Sequence, residues 1–398
     1  MTRQPLALAA PPAATPRVSQ VDRCWICSKM FYWNGLVARR AASCRHTDGR
    51  YEVTMAKQRA NIRDVAKESG VSLTTVSLII NKNDQRISEP TRQRVLDAIE
   101  KLSYTPSRLA RGLPNRRANT LAILVPQLQN AFADVYFGEL ISGIYEEAAA
   151  RGFRILLEVA RRDYIKRREY MQLLEDCSVD CIFFLGATEE HKFLKEFDAS
   201  DRPLLVVNNH FSQWDLHHVV CDYAAAGRDA ADHLIELGHT RIAHISGPND
   251  VVLTTRELTD AFVGRLAEHG VRLSKSMIVG GEFQVETAKL ACDELLERDP
   301  DLTAIFCAND KMALGAYQSL RAQSKQPGKD VSIIGCDDIP VAALSDPPMT
   351  TVRMNFFEVG AESCRQMLKL IETKSMDGRI NKRIPVELVR RASTAPIR

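Results

Sequence analysis

The 398-residue chain contains no apolar run of the roughly 18 residues that a membrane span requires. Its first 20 residues hold no compact apolar segment of secretory type, so no export signal is expected. There is no Gly-rich phosphate loop of standard form, no His-Glu-x-x-His and no nucleophile elbow, which removes the commonest marks of an enzyme. No cofactor and no metal site are therefore expected. The ten cysteines are scattered, mostly inside apolar stretches such as Asp180-Cys181-Ile182-Phe183-Phe184. That usage suits a reducing cytoplasm and argues against a disulfide framework. His217-His218 reads as a solvated loop pair, and the basic run from Arg161 to Arg168 as an exposed helix start.

What is present is a charge asymmetry. Residues 1–55 carry 8 Lys/Arg against 3 Asp/Glu, and residues 56–118 carry 13 against 6. The remainder carries 32 against 41. A basic front end on an acidic body points to a polyanion at one end. The chain divides into an extension at 1–54, a helical segment at 55–104, a basic linker at 105–118 and a long region at 119–398. At this length two or three domains are expected.

Region 119–398 alternates short apolar runs with helical patterns. Thr120–Val125, Phe153–Val159, Cys181–Leu185, Pro203–Val207, Arg241–Ile245, Ala304–Cys307 and Val331–Gly335 read as buried strands. One helix is expected near Glu139–Tyr145 and another from about Ile165 to Asp176. Such runs indicate parallel sheets covered on both faces, and about 280 residues of them fit two α/β halves. Ligands in open α/β sheets bind at the carboxyl ends of the strands, so the cleft between the halves is the expected small-molecule site.

The helical segment is more specific. Ile62–Ser69 is a short amphipathic helix, Gly70-Val71 a tight turn, and Ser72 a suitable cap for a second helix, Leu73–Ile80. Ala66, Val71, Val76 and Ile80 can share one small core, leaving Leu73, Thr74, Ser77 and Leu78 outside. A third helix starts near Ser88-Glu89-Pro90 and is expected to bury Val95, Leu96, Ile99 and Leu102. This geometry places a second helix in a DNA major groove.

The run Ile62-Arg-Asp-Val-Ala-Lys-Glu-Ser-Gly-Val-Ser-Leu-Thr-Thr-Val-Ser77 resembles the signature of the lactose-repressor (LacI/GalR) family of bacterial transcription regulators. The resemblance continues at Tyr104–Leu113, Val220–Tyr223, His233–Ile242, Ala308–Gly315 and Val331–Asp338, and covers about residues 57–392. It implies a helix-turn-helix domain joined to a periplasmic-binding-protein-like core of two parallel-sheet subdomains. It further implies a cytoplasmic, nucleoid-associated repressor: a homodimer, with a tetramer as the alternative, on a near-palindromic double-stranded operator. A small molecule, by default a sugar or sugar derivative, would control it. A periplasmic-type solute receptor is the competing reading; the missing export signal and the Ile62–Ile80 motif oppose it.

By the same resemblance Leu73 and Thr74 occupy base-reading positions, Thr75 and Ser77 phosphate-contacting ones, and Leu78 a further base-reading one. Leucine cannot donate to guanine but can touch a thymine methyl. Surface packing of Leu73 and Leu78 on the third helix is the alternative. Arg108 and Arg111 of the linker would face phosphates, and Leu113 would wedge into the minor groove. For the effector, the resemblance points to Tyr136, Phe137, Asp310 and Asp337, with an insertion from Asn130 to Val135 beside them. The family's arginine falls on Leu258, leaving Arg256 as its substitute, and Cys336 replaces a usual tyrosine. In the extension, Cys24, Cys27, Cys44 and His46 have a spacing that zinc could use. A disordered tail or an upstream mis-called start is the preferred reading of residues 1–54.

Overall fold

The structure is a computed structural model that describes residues 41–47, 50–55, 60–80, 84, 86–102, 104, 118–127, 134–198, 200–373 and 378–397. The chain forms two units, Met1–Ser107 and Arg108–Arg398.

In the first unit, β1 (Ala41–Thr47) and β2 (Arg50–Met55) pair antiparallel with Thr47 opposite Arg50, so two residues link the strands. Three helices follow. The first, α1 (Ile62–Ser69), begins at Asn61, whose side chain accepts from the backbone N–H of Arg63 and Asp64. Asp64 answers by accepting from the Asn61 N–H at 2.8 Å. This reciprocal cap satisfies donors that a helix start leaves open. Gly70 ends the helix at φ 65°, a conformation that costs glycine little, and its N–H reaches the Ala66 carbonyl. The second helix is α2 (Leu73–Ile80) and the third α3 (Glu89–Lys101), with Pro90 in its first turn. Val65, Ala66, Val76, Ile79, Val95, Ala98 and Tyr104 form the core between them. Leu96 departs from expectation. It is 44% exposed, because Val95 and Ala98 take the inward stripe and Leu96 lies about 100° round the helix.

The second unit contains β3 (Thr120–Pro126), α4 (Val135–Ala150), β4 (Arg154–Ala160), α5 (Arg162–Lys166), α6 (Glu169–Glu175), β5 (Cys181–Leu185), β6 (Leu204–Val207) and β7 (His217–Cys221). It continues with α7 (Tyr223–Glu236), β8 (Ile242–Ser246), α8 (Leu253–Glu268), β9 (Ile278–Gly280), α9 (Val285–Arg298), β10 (Ala304–Cys307) and α10 (Asp310–Ala322). It closes with β11 (Ser332–Asp337), α11 (Pro340–Leu344), β12 (Thr350–Arg353), α12 (Phe356–Thr373), β13 (Asn381–Ile384) and β14 (Glu387–Val389).

Two six-stranded sheets result, β13-β7-β6-β5-β3-β4 and β14-β12-β11-β10-β8-β9. All pairings are parallel except that of the edge strand β14 with β12. The chain passes between the sheets three times, after β7, after β12 and after β13. Helix α12 returns to the first sheet and packs on α4. The approach is close enough that a Cβ on Gly143 would strike the Phe357 carbonyl, and one on Gly360 the Leu140 carbonyl.

Further expectations change. The extension read as a disordered tail carries the paired strands β1 and β2 at its end. The helix foreseen from Ile165 to Asp176 is split into α5 and α6, with Arg168 between them at φ 56°. His217-His218 is a strand and not a solvated loop. His217 is buried, accepts from the Ile380 N–H at 3.0 Å, and has its pKa lowered to about 4 by burial and by Arg379.

Candidate functional site

Helix α2 separates its residues cleanly. Val76 and Ile79 face the small core, whereas Leu73 is 45% exposed, Leu78 is 38% exposed and Thr74 is also exposed. Ser72 starts the helix: its hydroxyl accepts from the Thr75 N–H at 3.1 Å and lies 2.9 Å from the Thr75 hydroxyl. Thr75 is thereby partly committed to the cap. Ser77 is half-buried. An exposed pair of leucines on a firmly capped helix is a surface without an internal role, the form expected of a groove-reading helix. Arg108, Arg111 and Leu113 lie outside the described residues, as do Asn130, Cys24 and Cys27.

The second site lies where the carboxyl edges of the two sheets meet. Backbone strain collects there. Asn208, Glu282, Phe283, Asp337 and Asp338 all have positive φ, between 48° and 124°, and follow or close β6, β9 and β11. Such conformations cost of order 1–3 kcal/mol each and gather at ligand sites. From the first sheet come Tyr136, at the start of α4, and Asn208. Tyr136 packs edge-on against Phe137 and Phe356 with ring centroids 4.9 Å apart. Asn208 accepts from the Cys221 N–H at 3.0 Å and donates to the Tyr223 hydroxyl at 2.8 Å. Burial pushes both phenols up, and the charge of Asp337 adds to this.

The five expected effector residues differ in what they have free. Phe137 is 6% exposed and belongs to the core beneath Tyr136. Asp310 is fully buried, accepting from the Thr351 hydroxyl at 2.5 Å and the Ile339 N–H at 2.8 Å. Arg256 donates to the Asn249 carbonyl at 3.0 Å and lies 3.7 Å from Glu189. Leu258 is buried in the core, so no cation stands at that position. Tyr136 and Asp337 are half-buried, at the start of α4 and the end of β11. Among the described residues no hydrogen bond or ion pair reaches the Asp337 carboxylate. Burial and the neighbouring Asp310 carboxylate push its pKa upward.

Polar contacts bridge the two sheets' edges. Lys311 on α10 pairs with Asp134 before α4 at 2.7 Å. Glu257 on α8 holds both nitrogens of Arg383 on β13 at 3.1 Å, and His210 at 3.0 Å. The Glu189 N–H donates to the Val251 carbonyl at 2.9 Å. Burial alone would raise the Glu257 carboxyl, but bonds from His210 and Arg383 outweigh it and hold the pKa at about 2. Phe283 was not foreseen from sequence. It packs against Gly247 at the second sheet's edge, and the Gly280-Gly281 pair before it was the available signal. His210, Glu257, Asn208 and Tyr223 were also missed, because no local pattern marks them. Among the described residues no cluster of three or more His, Cys, Asp or Glu could hold a metal. No helix among them is long and apolar enough to cross a membrane.

A capped three-helix domain with an exposed second helix, followed by two parallel sheets that share a ligand-type edge, defines a ligand-responsive DNA-binding protein. Comparison with known sequences agrees. Residues 61–107 match the model of bacterial regulatory proteins of the lacI family, and residues 231–394 match a periplasmic binding protein-like domain. The chain is 35% identical over 346 residues to the HTH-type transcriptional regulator DegA of Bacillus subtilis, covering 85% of this chain and 99% of that protein. It is 33% identical over 333 residues to the transcriptional repressor PurR of Vibrio cholerae, covering 83% and 97%. Catabolite control protein A of Priestia megaterium is 30% identical over 321 residues, covering 80% and 95%. Among solved structures, a transcriptional regulator CelR–cellobiose complex superposes with a TM-score of 0.64 at 29% identity, covering 84% of this chain and all of that one. A Lac repressor dimer bound to operator shares the fold with a TM-score of 0.74 at 23% identity, covering 85% and 100%. The chain belongs to the lacI family of bacterial transcriptional regulators. It is a DNA-binding transcriptional regulator with an effector-binding core, and its relatives are regulators rather than enzymes.

Proposed function

We propose that the protein is a homodimeric repressor that binds a near-palindromic operator in the cytoplasm and releases or grips it in response to a sugar or sugar derivative. The observation that carries this reading is the outward face of α2, where Leu73, Thr74 and Leu78 are exposed and lie outside the small core. Leu73 and Leu78 touch thymine methyls, Thr74 reads a base edge, and Thr75 and Ser77 contact phosphate. Arg108 and Arg111 neutralise phosphates on the linker, and Leu113 kinks the central step. In the core, Tyr136, Phe137, Arg256, Asp310 and Asp337 form the effector site, with Phe137 packed edge-on against Tyr136. Relatives support the ligand class: the CelR structure is a cellobiose complex. Effector and operator affinities are coupled reciprocally, as linkage requires. Residues 1–54 form an extension outside the regulator proper.

The test is selection of randomised duplex DNA by the purified full chain at fixed moderate salt, with and without a small-molecule cell extract. An enriched near-palindrome with a deformable pyrimidine–purine centre is expected. Failure to enrich any sequence under both conditions contradicts the reading.

A further inference from the structure

We propose that the core carries a second small-molecule site, apart from the effector site, which binds an organic phosphate monoester in a basic cavity between α12 and β13. The cavity encloses about 520 Å³, a volume typical of small-molecule pockets. Its walls are the last turns of α12 and the approach to β13. It adjoins the first residues of β13, which runs parallel to β7, and so lies at the amino edge of the first sheet. The effector site lies at the carboxyl edge. Helix α12 spans the two: Phe356 at its start packs on Tyr136, and Lys369 lies about 20 Å further along the helix axis.

The charge of the cavity is of one sign. Lys369, Arg379 and Lys382 line it, and none of the described lining residues is acidic. Two of these cations are fixed from behind. Arg379 is half-buried; it donates from Nε to Asp215 at 3.0 Å and from Nη1 to the Ser200 carbonyl at 3.1 Å. Its Nη2 has no bond among the described residues. Lys382 is held by Glu362, a buried carboxylate that also accepts from Gln366 at 2.7 Å. The Lys369 ammonium has no hydrogen bond or ion pair among the described residues, and Glu372, three residues on, does not pair with it.

An oriented guanidinium edge and a free ammonium are donors without an acceptor, and phosphate oxygens supply acceptors of matching charge. Asp215 is 65% exposed, so solvent screens its hold on Arg379 and leaves the guanidinium available to a ligand. Because Arg379 and Lys382 are anchored by groups outside the cavity, little side-chain freedom is lost when a ligand arrives. Three cations suit the two charges and three oxygens of a phosphate monoester better than a single carboxylate. Leu370 and Ile380 complete the lining, both half-buried. Bare phosphate would leave this apolar pair uncovered and most of the volume unfilled, so the phosphate is carried on an organic body.

The experiment is lysine acetylation footprinting of the full chain at neutral pH, read by mass spectrometry, with phenyl phosphate, inorganic phosphate and phenol as probes and calorimetry alongside. Phenyl phosphate is expected to protect Lys369 and Lys382 and to leave Lys275, beside the second sheet, as reactive as before. Inorganic phosphate should bind about tenfold more weakly, and phenol not at all. Lys369→Gln, at an exposed position, should keep the fold and weaken phenyl phosphate about tenfold. Lys275→Gln removes the same charge elsewhere and should leave the affinity unchanged. Inorganic phosphate that binds as tightly as phenyl phosphate overturns the organic ligand. Absence of protection at Lys369, protection of all exposed lysines alike, or an affinity indifferent to Lys369→Gln overturns the site.

Discussion

On α2 the residues that face outward and the residues that hold the helix are different residues. At the sheet edges of the core, the same residue types do both. Leu73 and Leu78 stand out because Val76 and Ile79 already satisfy the small core. Asp310 and Asp337 do not stand out from each other in sequence: each closes or follows an apolar strand and each is an aspartate. Only the fold reveals that Asp310 is consumed by Thr351 and Ile339 while Asp337 has no partner among the described residues. A surface-reading site is therefore visible as residues left over from packing. A cleft site is visible only once the internal hydrogen bonds have been assigned.

Removing the two aspartates is the strongest way to sharpen this contrast. Asp310→Ala deletes the acceptor of two buried bonds and should cost about 3 kcal/mol of stability. Asp337→Asn removes a charge with no protein partner, so its melting temperature should equal or exceed the parent's. Equal losses in thermal melts would erase the distinction.

Acid probes the core next. Burial lowers the pKa of His217, His233 and His244 to about 4, with Arg379 and Arg390 adding to the effect at His217 and His233. The folded state therefore binds fewer protons than the unfolded state between about pH 6.5 and 4. Stability present above that window is lost as pH falls through it, and fully buried His244 contributes about 2 kcal/mol of the loss. Denaturant melts from pH 7 to 4.5 measure it; a flat profile would refute neutral burial of these rings.

The helical unit offers a matched pair of smaller size. Val76→Ala opens the small core and should cost about 2 kcal/mol. Leu78→Ala should change stability by no more than about 0.5 kcal/mol, yet weaken operator binding about tenfold. If Leu78→Ala were as destabilising as Val76→Ala, Leu78 would belong to the packing and not to the reading face. The cap should lose less than the small core does. Ser72→Ala removes the acceptor of the Thr75 N–H and should cost about 1 kcal/mol.

How far the sequence could be read follows the same division. The apolar runs at β3, β5 and β10 are continuous, and a fully buried parallel strand needs little else to be recognised. The strands β7, β9, β12, β13 and β14 escaped, since they are short or, like His217-His218, carry polar residues that tertiary bonds satisfy. The break at Arg168 escaped because an arginine at positive φ has no sequence signature. In the helical unit, the Asn61 and Ser72 caps and the Gly70 stop are local, so the helix-turn-helix was legible almost residue by residue. Of the expected effector residues, Tyr136 and Asp337 are half-buried. Phe137 and Asp310 are buried, Asp310 bonded to a partner 41 residues along the chain, whereas Arg256 is tied to the nearby Asn249 carbonyl.

The central claim is that α2 reads DNA with the residues its core does not need. Its most direct test is to repeat the duplex selection with Leu73→Ala and with Thr74→Ala, beside the parent, at one salt concentration. The account predicts that each variant keeps its fold and its salt-dependent non-specific binding, but enriches a site altered at the same one or two positions of each half. Variants that enrich the parent's sequence unchanged would show that this face of α2 carries no base readout.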